Sequence, residues 1–513
     1  MSRNKFIHGS IIMILMNTFT RAIGFTYEVL LSKSLGAEAM GWFQIAMSTL
    51  MIFLVFTISG IPSSVTKLVA QEYSNGNQYN MEKIYKSSLF FNLFLGIFLS
   101  IGLLLSSKFI ASRVFRNGDL LMEVYFLAPA IIIISTSNIL RAYFYGRQNM
   151  VTPSISQTLE HLARFVIVLG LLSYFSPLKP LYGTIIAIMG ISIGELIDLA
   201  WSLLSKKRLY YASPLTCREK WTSLEALSKV LLLALPLTIL GFFNVGLNFL
   251  NAILIPSRLM SAGYTKSLAV ASFGRITGMA MPLIHLPFVV TSGLVVNIVP
   301  SLSEQIALKK SSSMRADIQL AVKVTLLVSI PLSIFYVVLS EPLAIFLYDD
   351  LLVAGFIGIM GPATALLALQ HTLSGILFGL NRQFQATVAR MFAMLLRVYL
   401  IYILVGNPRF EIYGFFIAFF VSSILTLLFD MLILRTALPI SFNYIDMVGK
   451  PILASLFAIG YLRFTVFDLE KLKYVNPASF VFSLCVALLS YIFILMLTNA
   501  LPKNLLERVI KGQ

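Results

Sequence analysis

The sequence predicts an all-α membrane protein of fourteen transmembrane helices, arranged as two pseudo-symmetric six-helix lobes followed by two C-terminal helices. Three observations predict it: a composition that water does not tolerate, a succession of long uncharged runs, and motifs that recur at a fixed offset. Of the 513 residues, 58% are hydrophobic and only 12% charged. Soluble domains carry about 25% charged residues. A globule with 40 Phe, 21 Tyr and 22 acidic residues would expose aggregating apolar patches. In lipid, acyl chains solvate those same faces.

A helix needs about 20 mostly apolar residues to span the bilayer. Spans are read at 7–31, 42–66, 87–107, 122–144, 153–175, 181–204, 228–254, 267–300, 320–340, 353–379, 384–405, 412–434, 448–467 and 475–498. The first resembles a signal peptide, with Arg3 and Lys5 before an apolar run. No A-x-A site follows, however, and the segment stays apolar past Arg21 and Glu28, so it is read as an uncleaved span. With the N-terminus cytoplasmic and the spans alternating, the cytoplasmic sections carry roughly twice as many Lys and Arg as the outer ones. This predicts a multi-pass protein of the bacterial inner membrane with both termini cytoplasmic.

The net charge of +17 is spread in small groups between uncharged runs. That excludes nucleic acid as partner and fits anionic lipid headgroups. Cys217 and Cys485 offer no disulfide framework, and His8, His161, His285 and His371 lack ligand spacing. There is no P-loop, so the chain does not hydrolyse ATP. No cofactor, metal site or catalytic residue is expected: this is not an enzyme.

The repeat is visible twice. I-P-S-S-V-T-K-L-V-A-Q-E from Ile61 and V-P-S-L-S-E-Q from Val299 place Pro62 and Pro300 238 residues apart, each read as a Pro-Ser inside a helix that opens into a polar loop. Gly146 precedes Arg164 by 18 residues, as Gly379 precedes Arg397, at an offset of 233. Two matches in register indicate a duplicated six-helix unit. Because six is even, both copies enter from the same side, as in transporters built from parallel repeats. The expected divisions are an N-lobe at 1–205, a cytoplasmic inter-lobe loop at 206–227, a C-lobe at 228–435, and spans 13 and 14 with a cytoplasmic tail at 436–513.

Ionised groups at bilayer depth mark functional positions, since each costs several kcal/mol in hydrocarbon, about 2.5–3.5 kcal/mol for Arg. Arg21 and Glu28, seven residues apart on roughly one face, either line a lumen or hold helices together. Arg275 either contacts a phosphate bidentately or snorkels to the interface. Glu160 and Arg164 lie one turn apart and can pair, whereas Arg397 has Ala393 where Arg164 has its acid. Asp198, with Glu195, reads as a cation or proton site or as a charged helix end beside Lys206 and Lys207. Lys67 and Glu72 read as a charge pair at a loop mouth, either gating or merely solvating it. Asn244, Asn248 and Asn251 put amides on one face of span 7, facing either a lumen or a neighbouring helix. Span 8, with Pro282, Pro287 and Pro300, is expected to bend.

These residues carry a resemblance. F-T-R-A-I-G-F-T-Y-E-V-L-L-S-K-S-L-G from Phe19, G-I-P-S-S-V-T-K-L-V-A, the Y-G-R-Q block with Pro153, Gln157 and Glu160 beyond it, and L-P-F-V-V-T-S-G-L-V-V-N-I-V-P-S-L-S-E resemble the polysaccharide-transporter branch of the multidrug/oligosaccharidyl-lipid/polysaccharide (MOP) flippase superfamily. The resemblance covers essentially the whole chain. It implies a MATE-like two-lobed bundle that flips an undecaprenyl-diphosphate-linked sugar, such as lipid II or a related cell-wall or spore-cortex precursor, by alternating access. Arg21 matches the first-helix Arg of lipid II flippases and Glu28 their acid, while Tyr27 stands where they have a second Arg. Arg275 lies further from the F-P step than their eighth-helix Arg. The last two helices are expected to offer a groove for the lipid tail. Coupling to membrane potential, Na+ or H+ and association with cell-wall synthesis enzymes are compatible with this reading. The rivals are a cation-coupled multidrug or metabolite antiporter, a membrane glycosyltransferase, and a scaffold for cell-wall assembly. A glycosyltransferase would need an acidic catalytic cluster or a large outer loop, and the sequence has neither.

Overall fold

The computed structural model describes residues 3–115, 118, 120–210, 220–466 and 477–500. Every regular element among them is helical: α1 (Arg3–Ile58), α2 (Ile61–Ser74), α3 (Gln78–Phe109), α4 (Leu120–Gly146), α5 (Val151–Phe175), α6 (Pro180–Tyr210), α7 (Ser223–Ser261), α8 (Lys266–Gly274), α9 (Met281–Ile284), α10 (Phe288–Ala307), α11 (Ser311–Val338), α12 (Ser340–Tyr348), α13 (Leu352–Gly379), α14 (Gln383–Leu404), α15 (Tyr413–Ala437), α16 (Lys450–Val466) and α17 (Pro477–Leu497). Parts of the expected inter-lobe loop (211–219), of the connection between the last two spans (467–476) and of the tail (501–513) lie outside the described residues.

Twelve segments among the described residues are long and apolar enough to cross a membrane, so the chain is an all-α, multi-pass membrane protein. Three local causes make this number differ from the fourteen expected. Phe19–Ser74 is one continuous segment, although Gly36 (φ +74°) interrupts α1. That backbone conformation suits glycine, which has no Cβ to clash. Residues 266–307 form two segments instead of one bent span. Finally, α16 has only 17 residues and α17 follows residues outside the description.

The prolines behave differently in the two copies of the repeat. Pro300 lies inside α10, but Pro62 begins α2 after a break at Ser59–Gly60. At a helix start the missing N–H of proline costs nothing, because that donor has no intrahelical acceptor. The expected polar loop after Pro62 is therefore helical as far as Ser74.

Within residues 266–307, a π-helical turn at Arg275–Ala280 and a non-helical turn at His285–Pro287 separate α8, α9 and α10. Pro287 cannot donate to the Leu283 carbonyl four residues earlier. That carbonyl accepts from the Leu286 N–H at 3.1 Å and from the Tyr336 hydroxyl at 2.9 Å, and the Tyr348 hydroxyl donates to the Met279 carbonyl at 2.8 Å.

The chain divides into two units, Met1–Gly278 with Ile401–Glu411 and Met279–Leu400 with Ile412–Gln513. Val65, Val69, Ile84, Leu140 and Val230 contribute to the core of the first, and Leu302, Ile318, Leu377 and Leu434 to that of the second. Internally they repeat one another at the offset of 233. Pro129 lies inside α4 and Pro362 inside α13. Ser100 Oγ donates to the Ala128 carbonyl at 2.9 Å, and Ser333 Oγ to the Gly361 carbonyl at 2.9 Å. Left-handed residues recur as Gly76 and Lys309, and as Gln148 and Asn381. A similar pair lies at a slightly different offset, 237: Thr66 Oγ1 bonds the Ala142 carbonyl at 3.2 Å, and Ser303 Oγ bonds that of Gly379 at 3.3 Å.

Candidate functional site

The densest charge in the first unit is a buried network on α4, α5 and α6. Arg141 of α4 reaches three carboxylates: Glu160 Oε2 at 3.8 Å, Glu195 Oε2 at 3.4 Å and Asp198 Oδ2 at 3.7 Å. Arg164 pairs with Glu160 one turn away on α5. Ser137 Oγ donates to Glu195 Oε2 at 2.7 Å. Local sequence permits this closeness: α6 passes α5 at Gly194, where an added Cβ would sit 3.2 Å from both Glu160 Cγ and the Glu160 carbonyl. Two guanidiniums and three carboxylates neutralise most of one another here, which offsets the cost of burial in a low-dielectric interior. The network ties three helices into one rigid block.

Asp198 is wholly buried against Arg141 and is not a solvated helix end. Lys206, expected beside it, pairs with Glu82 at 3.1 Å and lies over the Tyr85 ring, 3.4 Å from its centroid. The Lys67–Glu72 pair is likewise corrected. Lys67 is exposed, while buried Glu72 accepts from Asn80 Nδ2 at 2.9 Å. Because α2 continues through both residues, five positions of helix turn their side chains apart.

In front of this block runs α1. Arg21 is exposed and Glu28 half-buried. Glu28 makes no hydrogen bond or ion pair with its side chain among the described residues. Between them Gly24 passes the His161 ring of α5, and Thr20 and Thr158 share a hydrogen bond of 2.8 Å. An arginine, a glutamate and a histidine thus stand near the same α1–α5 seam, on the accessible side of a neutralised core.

The other candidates lie apart. Arg275 opens the π-helical turn and is half-buried. Arg397 is half-buried over the Phe419 ring at 5.5 Å, with no carboxylate in ion-pair range among the described residues. Asn244 donates its amide back to the Leu240 carbonyl at 3.1 Å, and Asn248 is exposed. Outside the spans, the ion-paired hydrogen bond from Lys450 holds the Asp446 carboxyl below the usual carboxylate range.

Sequence reasoning passed over Arg141, which it counted only among the cytoplasmic bases, and Asp430. Asp430 is wholly buried in α15 with neither carboxylate oxygen hydrogen-bonded among the described residues. Its signal was a single acid in the run L-L-F-D-M-L. In the second unit α11, α16 and α17 enclose an apolar groove of about 530 Å3, lined by residues that include Leu327, Pro331, Phe335, Ile459, Leu462 and Tyr491.

A family model described as polysaccharide biosynthesis protein matches residues 6–305, and a MatE model matches residues 244–403. Stage V sporulation protein B of Bacillus subtilis (strain 168) is 26% identical over 446 residues, 86% of each chain. In fold, the chain is similar to lipid II flippase MurJ in its inward closed conformation, with a TM-score of 0.70 at 16% identity, covering 94% of this chain and 98% of that one. It is also similar to an inward-facing multidrug resistance MATE family transporter of the MOP superfamily, with a TM-score of 0.67 at 14% identity over 82% and 94% of the two chains. The chain belongs to the polysaccharide biosynthesis protein family of the MOP flippase superfamily.

Proposed function

We propose that this protein is a flippase that carries an undecaprenyl-diphosphate-linked saccharide, a cell-wall or spore-cortex precursor such as lipid II, to the outer leaflet by alternating access. It is a transporter and not an enzyme. The observation that carries the reading is the exposed Arg21 guanidinium on a membrane-crossing helix. A cation at that depth is tolerated where water or an anionic headgroup reaches it. A diphosphate is a fitting partner, because guanidinium donors match phosphate oxygens bidentately. Glu28 is a further contact for a coupling cation and Arg397 one for an anionic head, with Arg275 as a secondary one, while Asn244 and Asn248 are neutral lumen residues that do not meet the diphosphate. The apolar groove of α11, α16 and α17 suits the polyprenyl tail.

In this reading α1 crosses twice by way of Gly36, residues 266–307 cross once as a broken helix, and α16 and α17 add the last pair. The chain then makes fourteen crossings, both termini are cytoplasmic, and residues 1–205 and 228–435 act as the two lobes. Membrane potential, Na+ or H+ drives the cycle, and anionic lipids and cell-wall synthesis enzymes are its neighbours. The match of residues 244–403 to the MatE model favours one second reading, a cation-coupled antiporter of drugs or metabolites.

The test is translocation of defined undecaprenyl-diphosphate sugars in liposomes holding the intact protein or R21A. We expect headgroup movement with the wild type and a fall of about ten- to hundredfold in R21A, the loss of one charge-assisted contact. Movement of cationic drugs with no lipid headgroup movement would establish the second reading in place of the first. An equal rate in R21A would remove Arg21 from the site.

A further inference from the structure

In the first unit, the segment of α1 beyond Gly36 and the middle of α7 enclose a cleft of about 290 Å3, lined by Gln44, Met47, Ser48, Met51, Val245, Asn248 and Phe249. Its chemistry is specific in what it includes and in what it omits. No Lys, Arg, Asp or Glu lines it, so it is not built for the diphosphate or for a cation. Two carboxamides face it, Gln44 and Asn248, and neither makes a side-chain hydrogen bond among the described residues. Ser48 spends its proton on the Gln44 carbonyl at 2.9 Å, which leaves its oxygen free to accept. Unpaired amides facing acyl chains would be costly, so the cleft is meant for a polar occupant.

The remaining walls are apolar. Met47 and Met51 are flexible thioethers that adapt to irregular shapes. Phe249 is held edge-on by Phe115, with ring centroids 6.1 Å apart. An aromatic face, thioethers and neutral groups that both donate and accept make a combination suited to a pyranose. Such a ring has apolar C–H faces, hydroxyls around its rim and, when N-acetylated, an amide that a carboxamide pairs with reciprocally. The volume lies near the lower end of small-molecule sites, roughly 300–1,000 Å3. That suits a single sugar unit better than a polyprenyl chain.

We infer that this cleft is a neutral-sugar subsite, in which Gln44, Ser48 and Asn248 hydrogen-bond an N-acetylated ring and Phe249 covers its apolar face. The inference takes its ligand from the flippase reading but assigns recognition of the saccharide to residues separate from the charges that meet the diphosphate. It predicts selectivity for what the lipid carries, and not merely for its phosphates.

The test uses full-length protein in nanodiscs with two probes, undecaprenyl diphosphate bearing an N-acetylated disaccharide and undecaprenyl diphosphate alone. Wild type should prefer the sugar-bearing probe. The Gln44→Leu, Asn248→Leu double variant should bind it about ten- to hundredfold more weakly, one to two hydrogen bonds' worth. Its affinity for the bare lipid should not change, which also reports that it is folded. A preference that survives in the double variant, or none in the wild type, overturns the subsite. A second measurement needs no variant: a photoreactive sugar on the lipid should label Met47, Met51 or Phe249 in the wild type, and labelling confined to other residues refutes the inference. If the sugar preference is present but the lipid never crosses in liposomes, the flippase reading falls and the subsite stands.

Discussion

At the scale of single residues, the decisive contrast is between buried and exposed charge. Arg141 is surrounded by Glu160, Glu195 and Asp198, and its removal would leave three buried carboxylates with Arg164 as their remaining ion-pair partner. Arg141→Met should therefore cost about 3–5 kcal/mol, the penalty for stranding a buried charge. Thermal unfolding in detergent reads this. Adding Glu195→Gln and Asp198→Asn to the same chain should restore most of the loss, and no recovery would mean that Arg141 stabilises by packing alone. The sequence made part of this site legible. Glu160 and Arg164 are one turn apart, and helical geometry alone puts them within reach of each other. The rest depends on contacts between α4, α5 and α6 that no local spacing encodes. Arg141 lies near the end of a span, where a base is unremarkable, and Asp198 has lysines eight and nine residues ahead of it that distract from a partner 57 residues back.

At the scale of elements, the breaks matter as much as the helices. At the interruption around Pro287, the carbonyl that the proline leaves open is met by the Leu286 N–H and by a tyrosine from α11. Tyr336→Phe should cost about 0.5–1.5 kcal/mol, the loss of one hydrogen bond to a carbonyl that keeps the Leu286 N–H, whereas a distant tyrosine such as Tyr399, exposed on α14, should tolerate the same change. A thermal midpoint for each variant decides this, and equal midpoints would remove the hydroxyl from the account. Prolines and glycines in the sequence foretold that the region would bend. They did not foretell two separate segments, because the π-helical turn at Arg275–Ala280 is set by packing and not by composition. Pro62 shows the opposite error. The same dipeptide that sits inside α10 starts a helix at α2, since α1 has already stopped at Ile58 and Gly60 caps the new one.

At the scale of the whole molecule, the hydropathy of the sequence was sufficient for the class and the repeat for the internal correspondence. The offset of 233 recurs in hydrogen bonds, prolines and left-handed residues that sequence comparison did not use. The segment count was harder to read, because α1 runs on through the gap between the first two expected spans and α16 is marginal in length. The orientation that follows from the basic residues is open to a direct check. In a chain with Cys217 and Cys485 replaced by serine, Glu341→Cys should react with an impermeant maleimide in intact cells, and Lys207→Cys only after the membrane is opened. The reverse pattern would invert the topology and place the entry side of the proposed flippase on the wrong face.

The left-handed positions that punctuate both copies also have a practical meaning. One copy fills the first of these corners with Gly76, while the other holds Lys309 there at φ +53°. A β-carbon in that conformation costs roughly 1–2 kcal/mol, part of which glycine returns through its greater freedom in the unfolded chain. Lys309→Gly should therefore harden the protein by up to about 1 kcal/mol. Asn381→Gly should change little, since asparagine tolerates such corners. A melting series in detergent would show it, and the glycine corner would give biochemists a sturdier preparation without touching any residue proposed for transport.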